Sequence, residues 1–139
     1  MILVALDPGK TTGFALLNTE TYNLEVYEMY SPEELGTALL VSSPIDRIIY
    51  EGFQQRNKPA ELISRNVIGV VDKFASDFNV ISFQQSSSVG KTFWTNAKLK
   101  AVGAYTKRKQ HGRDATRHLL YYLTFNLKDN YYLSKLKDA

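Results

Sequence analysis

The chain opens with a short apolar run that ends on an acid. Ile2 to Leu6 is continuously apolar, which predicts a strand covered on both faces, and Asp7 follows it directly. Pro8-Gly9 and Gly13 predict a tight turn, after which Phe14 to Leu17 is apolar again. The pattern therefore predicts a hairpin with a carboxylate at the end of its first strand.

Alternation and helix signals predict the next three elements. Tyr22 to Tyr30 alternates between two faces and predicts a half-exposed third strand. Ser31 is a typical N-cap and Pro32 a typical first helical residue, so a helix is expected from Pro32 to about Leu40. Asp46 to Glu51 predicts a short fourth strand, which also ends on an acid.

A polar loop over residues 52–59 precedes a long predicted helix from Pro59 to Phe78, whose apolar residues cover more than one face. We expect one side of this helix to pack against the sheet and the other against a second copy of the chain. The alternative is that both sides are buried within one chain, as a packed inner layer. The remaining predicted elements are a strand at Val80–Phe83, a loop at Gln84–Thr95, a helix from Asn96 to about Tyr105, a helix from about Gly112 to Phe125, and a polar tail from Leu127 that extends this helix or frays.

This order of elements predicts an α/β protein: a five-stranded mixed sheet, three antiparallel strands followed by parallel strands, flanked by helices. At 139 residues the chain is expected to form a single domain, 1–139. The absence of cysteine excludes disulfides and thiolate zinc sites. No apolar stretch reaches the roughly 18 residues that cross a bilayer, and Met1 leads straight into a strand, so a cytoplasmic protein without membrane contact is expected.

The positive charge is concentrated in one segment. Residues 91–117 carry eight basic side chains and one acid, Asp114, a balance of +7. Because the whole chain carries +3, the rest carries about −4. Such asymmetry indicates a polyanion partner, with a solvated charged face as the alternative.

Three acids stand at element ends: Asp7, Glu51, and Asp114 in the first turn of the last predicted helix. A right-handed crossover makes the first and fourth strands parallel, so as neighbours they would bring Asp7 beside Glu51. His111 precedes Asp114 by three residues and shares its helix face. Carboxylates with one imidazole suit Mg²⁺ or Mn²⁺, and two such ions about 3.5–4 Å apart would clamp a phosphodiester during hydrolysis.

Each of these residues also has an ordinary structural interpretation. Asp7 could cap a turn, Asp114 could complement the helix dipole, and His111 could be a surface histidine. His118 is expected to be an exposed helix residue, with orientation of the Asp114 carboxylate as the alternative.

Together these motifs resemble a known family. Leu-Asp-Pro-Gly with Gly13, an acid ending the fourth strand, and His-x-x-Asp opening an Ala-x-x-His-Leu-Leu helix are similar to the RuvC family of Holliday junction resolvases, above all its compact viral and prophage members. The resemblance implies an RNase H-like fold over nearly the whole chain. It also implies two Mg²⁺ ions per active site, replaceable by Mn²⁺, held by Asp7, Glu51, His111 and Asp114. A homodimer, acting in the host cytoplasm if virally encoded, would nick two opposed strands of a four-way DNA junction.

The resemblance also implies DNA contacts. An aromatic side chain after the second acid would insert into the junction, and Phe53 is the candidate. Lysines before the last helix would contact the DNA backbone, although Gln84-Gln85-Ser86 stands where a proline-containing turn is expected. The full set of expected DNA contacts is Phe53, Arg56, Lys91, Lys98, Lys100, Lys107, Arg108, Lys109 and Arg113.

Other functions fit parts of the same pattern. An RNase H-like nuclease acting on branched or flapped DNA or on structured RNA would look nearly the same, and so would a non-catalytic junction-binding module. The run Asp7-x-Gly9-x-Thr11-x-Gly13 also resembles the phosphate loop of the sugar kinase and actin group. Those proteins need two lobes and a longer chain, so no nucleotide cofactor is expected.

Overall fold

The computed structural model describes residues 1–52 and 59–139. Its core is a five-stranded sheet in the order β3-β2-β1-β4-β5, in which β1 to β3 are antiparallel and β4 and β5 run parallel to β1. The predicted fold class, with its parallel first and fourth strands as neighbours, is confirmed. The strands are β1 (Ile2–Asp7), β2 (Thr12–Asn18), β3 (Asn23–Met29), β4 (Arg47–Glu51) and β5 (Ile81–Gln85).

Helices cover both faces of this sheet. The predicted cap of the first one is confirmed, since the Ser31 hydroxyl accepts a hydrogen bond from the Glu34 backbone N–H at 3.1 Å. Along the described chain the helices are α1 (Pro32–Ser42), α2 (Pro59–Phe78), α3 (Ser87–Phe93), α4 (Asn96–Ala101), α5 (Gln110–Tyr121), continued by a π-helix (Tyr122–Asn126), and α6 (Tyr131–Asp138).

The apolar run of β1 is buried on both sides, as predicted. Val4 and Leu6 pack with α1 and α2, whereas Leu3 and Ala5 pack with α4, α5 and α6. All four side chains are fully buried. The strand is therefore the centre of a three-layer arrangement, and the acid at its end is held in a fixed position relative to helices on both faces.

The predicted loop at Gln84–Thr95 is wrong in its centre. β5 continues to Gln85 and α3 follows from Ser87. A serine-rich run is a poor helix former, but α3 packs closely on α5: a Cβ at Gly90 would lie 3.0 Å from the Arg117 carbonyl carbon. Tertiary packing overrides the local propensity here.

The second half differs from expectation in three other bounds. α4 ends at Ala101, and α5 begins at Gln110, so Asp114 lies in its second turn and not in the first. The tail forms a separate helix, α6, instead of extending α5.

The tail docks because the Tyr131 ring stacks on Tyr22 at 3.7 Å between ring centroids and the Tyr22 hydroxyl donates to Asp129 at 2.6 Å.

α2 buries one stripe and exposes another. Val67, Val71 and Phe74 pack against α1 and the sheet, while Leu62 and Phe78 are 59 % and 49 % exposed. The expected second copy on the outer face stays a prediction. In the part of the chain that the structure describes, no helix combines the length and apolar character needed to cross a membrane.

Candidate active site

Asp7 and Glu51 end neighbouring parallel strands at one edge of the sheet. Leu6 and Tyr50 are paired in register, so the two acids follow side by side. Their side chains are 13 % and 11 % exposed, and the two carboxyl groups are close enough to interact. Two partly buried carboxyl groups in contact cannot both carry a negative charge without a cation nearby.

The start of α5 brings His111 to the same edge. Its Nδ1 lies 3.2 Å from Asp7 Oδ2, and its side chain is 46 % exposed. The helix start is fixed by Glu28, whose carboxylate accepts the backbone N–H groups of His111 and Gly112 at 2.9 and 3.2 Å. Glu28 on β3 therefore caps α5 and places His111 over Asp7.

Lys91 on α3 lies between the remaining acids. Its ammonium nitrogen is 3.7 Å from Glu51 Oε1 and 3.7 Å from Asp114 Oδ2. The sequence predicts that this lysine contacts DNA, whereas in this structure its partners are two carboxylates. With a side chain 45 % exposed, Lys91 faces both the acidic cluster and solvent.

Two buried side chains of α5 complete the cluster. Arg117 donates to Asp114 Oδ1 at 2.5 Å, and His118 Nε2 lies 3.5 Å from Glu51 Oε2. The expectation of an exposed His118 is wrong, because its side chain is fully buried. The alternative is also wrong, since His118 contacts Glu51 and Arg117 is the partner of Asp114.

Burial and like charge shape the pKa values of the strand-end acids. Burial, the hydrogen bond with Glu51, and the charges of Glu51 and Asp114 raise the pKa of Asp7 to about 9. Burial by itself would raise the pKa of Glu51, but contacts with His118 and Asp7 and the charge of Lys91 outweigh it and lower that pKa to about 2. The two shifts are opposite in direction, so the environment favours the protonated form of Asp7 and the ionised form of Glu51.

We expect the metal-free protein to lose stability as pH rises. The folded protein keeps a proton on Asp7 up to a pKa of about 9, whereas an unfolded chain releases it near 3.8, so the unfolding free energy falls between these values. The Glu51 pKa is lowered instead, so its contribution to the unfolding free energy is lost only as pH falls below 4.5 toward 2. Thermal unfolding in EDTA should give a higher Tm at pH 5 than at pH 8.

The control for this pH dependence is Asp7→Asn. It removes the titrating carboxyl group, so the Tm should be nearly the same at pH 5 and pH 8. A wild-type Tm that stays constant or rises from pH 5 to pH 8 in EDTA would contradict the assignment.

The donor set suits a hard divalent cation. In the described part of the chain, no three histidine, aspartate or glutamate side chains are arranged to hold a metal ion as they stand, and Lys91 lies between Glu51 and Asp114. Three carboxylates and an imidazole are nevertheless the ligands that Mg²⁺ or Mn²⁺ takes. Glu51 Oε2 is buried without a hydrogen-bond partner, and burial together with the neighbouring acids raises the pKa of Asp7. Both observations fit a site that a cation would complete.

The other expected DNA contacts spread over α4 and the start of α5. Lys98 lies over the Phe93 ring at 3.9 Å, and Lys100 and Arg113 lie over Tyr105 at 4.6 and 4.9 Å. Lys109 donates to the Val26 carbonyl at 3.1 Å. Lys107 and Arg108 are exposed just before α5, whereas Phe53 and Arg56 lie outside the described residues.

An open cavity of about 380 Å³ adjoins Asp114. Its walls are polar, and it lies among α3, the start of α4 and α5. The lining residues are Lys91, Thr95, Asn96, Gln110, Asp114 and Arg117. Cationic, amide and hydroxyl groups of this kind are the usual partners of a sugar-phosphate backbone.

Sequence reasoning missed three residues that fix the site: Glu28, Gln85 and Arg117. The spacing of Asp114 and Arg117, three apart on one helix, was a signal for their ion pair. Glu28 and Gln85 act from other strands on α5, and no local pattern indicates that contact.

The sheet order and the acidic edge define an RNase H-like α/β fold. A structure of RuvC from Thermus thermophilus in complex with a Holliday junction substrate matches with a TM-score of 0.73 at 14 % identity, over 92 % of this chain and 96 % of that one. A second T. thermophilus RuvC structure matches with a TM-score of 0.61 over the same shares. This chain therefore has the fold of RuvC, as the sequence resemblance predicted.

YeaZ from Pseudomonas aeruginosa matches more weakly, with a TM-score of 0.51 and 18 % identity over 73 % of this chain and 53 % of that one. No protein-family model and no curated protein sequence matches this chain.

Proposed function

We propose that this protein is a metal-dependent endonuclease that resolves four-way DNA junctions. The observation that carries the proposal is the convergence of Asp7, Glu51, His111 and Asp114 at one sheet edge, next to a basic segment. The RuvC neighbour with a Holliday junction substrate supports the choice of DNA. Asp7, which contacts Glu51 and lies within the field of Asp114, is the central group of the four.

Each site residue has a distinct role. Asp7, Glu51 and Asp114 would hold divalent ions, with Asp7 between the other two carboxylates. Such ions supply Lewis-acid stabilisation of the charge that develops on the phosphate oxygens. His111, held at Nδ1 by Asp7 and half-exposed, would complete the ligand set or carry a proton at Nε2 for the leaving oxygen.

Lys91 links the site to the substrate. In the DNA-free protein its ammonium group neutralises Glu51 and Asp114. A DNA phosphate near the cavity beside Asp114 would take this cation as its partner, and the basic side chains at positions 98, 100, 107, 108, 109 and 113 would extend the contact along the backbone. The aromatic at position 53 would stack on a base at the branch point.

The proposal includes a homodimer through α2. Two opposed strands can be nicked together only if two active sites face one junction. The exposed apolar side chains Leu62 and Phe78 on α2 give a second copy a surface to cover.

The test is cleavage of a synthetic four-way junction compared with a linear duplex of the same sequence. With Mg²⁺ we expect symmetric nicks on two opposed strands with ligatable 5′-phosphate ends, at a rate at least about tenfold above the duplex, since discrimination by shape of about 1.4 kcal/mol already gives that ratio. EDTA should abolish the nicks while junction binding survives.

Four outcomes would contradict the proposal or a part of it. Equal cutting of junction and duplex argues against a resolvase, and faster cutting of flapped DNA or an RNA junction favours a nuclease of broader specificity. Binding without any Mg²⁺-dependent turnover favours a junction-binding module. If sedimentation shows a single protein copy on a junction that is nicked on two strands, the proposed dimer is contradicted.

A further inference from the structure

Arg117 and His118 are neighbours in α5, and each contacts one oxygen of a different site carboxylate. Arg117 donates to Asp114 Oδ1 at 2.5 Å, and His118 Nε2 lies 3.5 Å from Glu51 Oε2. The opposite oxygens, Asp114 Oδ2 and Glu51 Oε1, each lie 3.7 Å from the Lys91 ammonium. One oxygen of each carboxylate is therefore held by α5, and the other faces a shared cation.

Arg117 is itself held in place. Its Nε donates to the Trp94 carbonyl at 2.8 Å, and a terminal nitrogen donates to Asn96 Oδ1. A planar guanidinium with three partners in different directions has little freedom to rotate. The orientation of Asp114 is thus tied to the segment between α3 and α4.

His118 is held from the sheet. Its Nδ1 lies 2.7 Å from Gln85 Oε1, and the Gln85 amide donates back to the His118 carbonyl at 3.3 Å. Gln85 is the register partner of Glu51 across β4 and β5. Glu51 Oε2 and His118 Nε2 are both buried, lie 3.5 Å apart, and have no hydrogen-bond partner among the described residues. The ring therefore fills the space behind Glu51 and faces its inner oxygen.

We propose that Arg117 and His118 are positioning residues, which turn Asp114 Oδ2 and Glu51 Oε1 toward one point where a divalent cation binds. The inference rests on the proposed metal-dependent function and deepens it. Groups behind metal-binding side chains fix their orientation, and their loss typically weakens metal affinity by about 10–100-fold. His118 is fully buried, whereas Arg117 lines the cavity beside Asp114, so metal binding is measured without DNA.

The test uses Arg117→Lys and His118→Gln, which keep a hydrogen-bond donor but change its geometry. Mn²⁺ binding to the DNA-free protein is followed by the electron paramagnetic resonance signal of free Mn²⁺. We expect each variant to bind Mn²⁺ at least about tenfold more weakly than the wild type. The Mg²⁺ concentration for half-maximal junction cleavage should rise by a similar factor, with cleavage recovering at saturating Mg²⁺.

The matched control is Arg47→Lys. Arg47 donates to the Tyr122 hydroxyl at 2.7 Å and lies at the opposite end of β4 from Glu51. The same substitution there should leave Mn²⁺ affinity unchanged. If the Arg117 variant does not fold, Mn²⁺ affinity is measured with His118→Gln and with Gln85→Met, which removes the side chain that holds His118.

Unchanged Mn²⁺ affinity in the folded variants would overturn the inference, and so would an equal loss in Arg47→Lys. Wild-type protein that binds Mn²⁺ but cuts no junction would overturn the proposed function, while weaker Mn²⁺ binding by the variants would still support the positioning role. The two failures are therefore distinguishable.

Discussion

Asp7→Asn is expected to abolish junction cleavage and to leave junction binding intact. Asparagine keeps the size of the side chain but offers one oxygen and no negative charge, at the group that contacts Glu51 and His111. We expect a loss of at least about 10³-fold in cleavage rate, equivalent to about 4 kcal/mol of transition-state stabilisation. The rate is measured with a labelled four-way junction in Mg²⁺, and binding by fluorescence anisotropy in Ca²⁺.

The control for this substitution is Asp46→Asn. Asp46 lies just before β4, at the opposite end of the same strand pair, where its carboxylate accepts the Ile2 backbone N–H at 2.6 Å. The same chemical change there should leave cleavage unchanged. Cleavage by Asp7→Asn within tenfold of the wild type would refute the site, and loss of junction binding together with cleavage would assign Asp7 a structural role instead.

The positions of Asp7 and Glu51 could be predicted because they follow from strand order. A continuous apolar run implied a central strand, a helical crossover implied a parallel neighbour, and both strands ended on acids. These are properties of hydrophobic pattern and chain handedness, which need no knowledge of side-chain contacts. The hairpin and the Ser31 cap were predicted from local turn and cap residues. These two predictions and the parallel pairing of the strands that end on Asp7 and Glu51 are confirmed.

The surroundings of Asp114 could not be predicted in this way. Polar residues on a helix usually face water, so His118 was expected on the surface. In the structure Thr116, Arg117 and His118 are all buried, and each has a hydrogen-bond partner: Thr116 bonds to the Gly112 carbonyl in its own helix, whereas Arg117 and His118 find partners on other elements. The partners on other elements, Trp94 and Gln85, are distant in the sequence, and the sequence pattern carries no information on them.

α3 shows the same limit for secondary structure. Its serines and glycine argue against a helix, and the segment is helical because Gly90 allows close packing on α5. The consequence is functional, since this packing brings Lys91 to Glu51 and Asp114. The sequence predicted a loop here and a DNA contact for Lys91, and it gave no sign of the contacts with the two acids.

Gly13→Ala is expected to cause the largest loss of stability among these substitutions. The sequence reads Gly13 as a turn residue, but in the structure it sits in β2, paired with Asp7, and α5 begins directly above it. An added Cβ would lie 1.8 Å from the His111 carbonyl oxygen and 2.8 Å from the Gly112 nitrogen. Because backbone atoms cannot rotate away, the start of α5 must move off the sheet.

We expect Gly13→Ala to cost about 3 kcal/mol of unfolding free energy and to lower the Tm by roughly 10 °C, measured by urea and thermal unfolding. The same displacement should separate His111 from Asp7 and reduce junction cleavage in the fraction that stays folded.

Gly69→Ala is the matched control, because nothing lies within 4 Å of a Cβ at that position in α2. There the change should raise stability by about 0.5–1 kcal/mol, since alanine favours a helix interior over glycine. Equal stability of the two variants would show that β2 and the start of α5 are not in contact at Gly13, and the placement of His111 over Asp7 would fail with it.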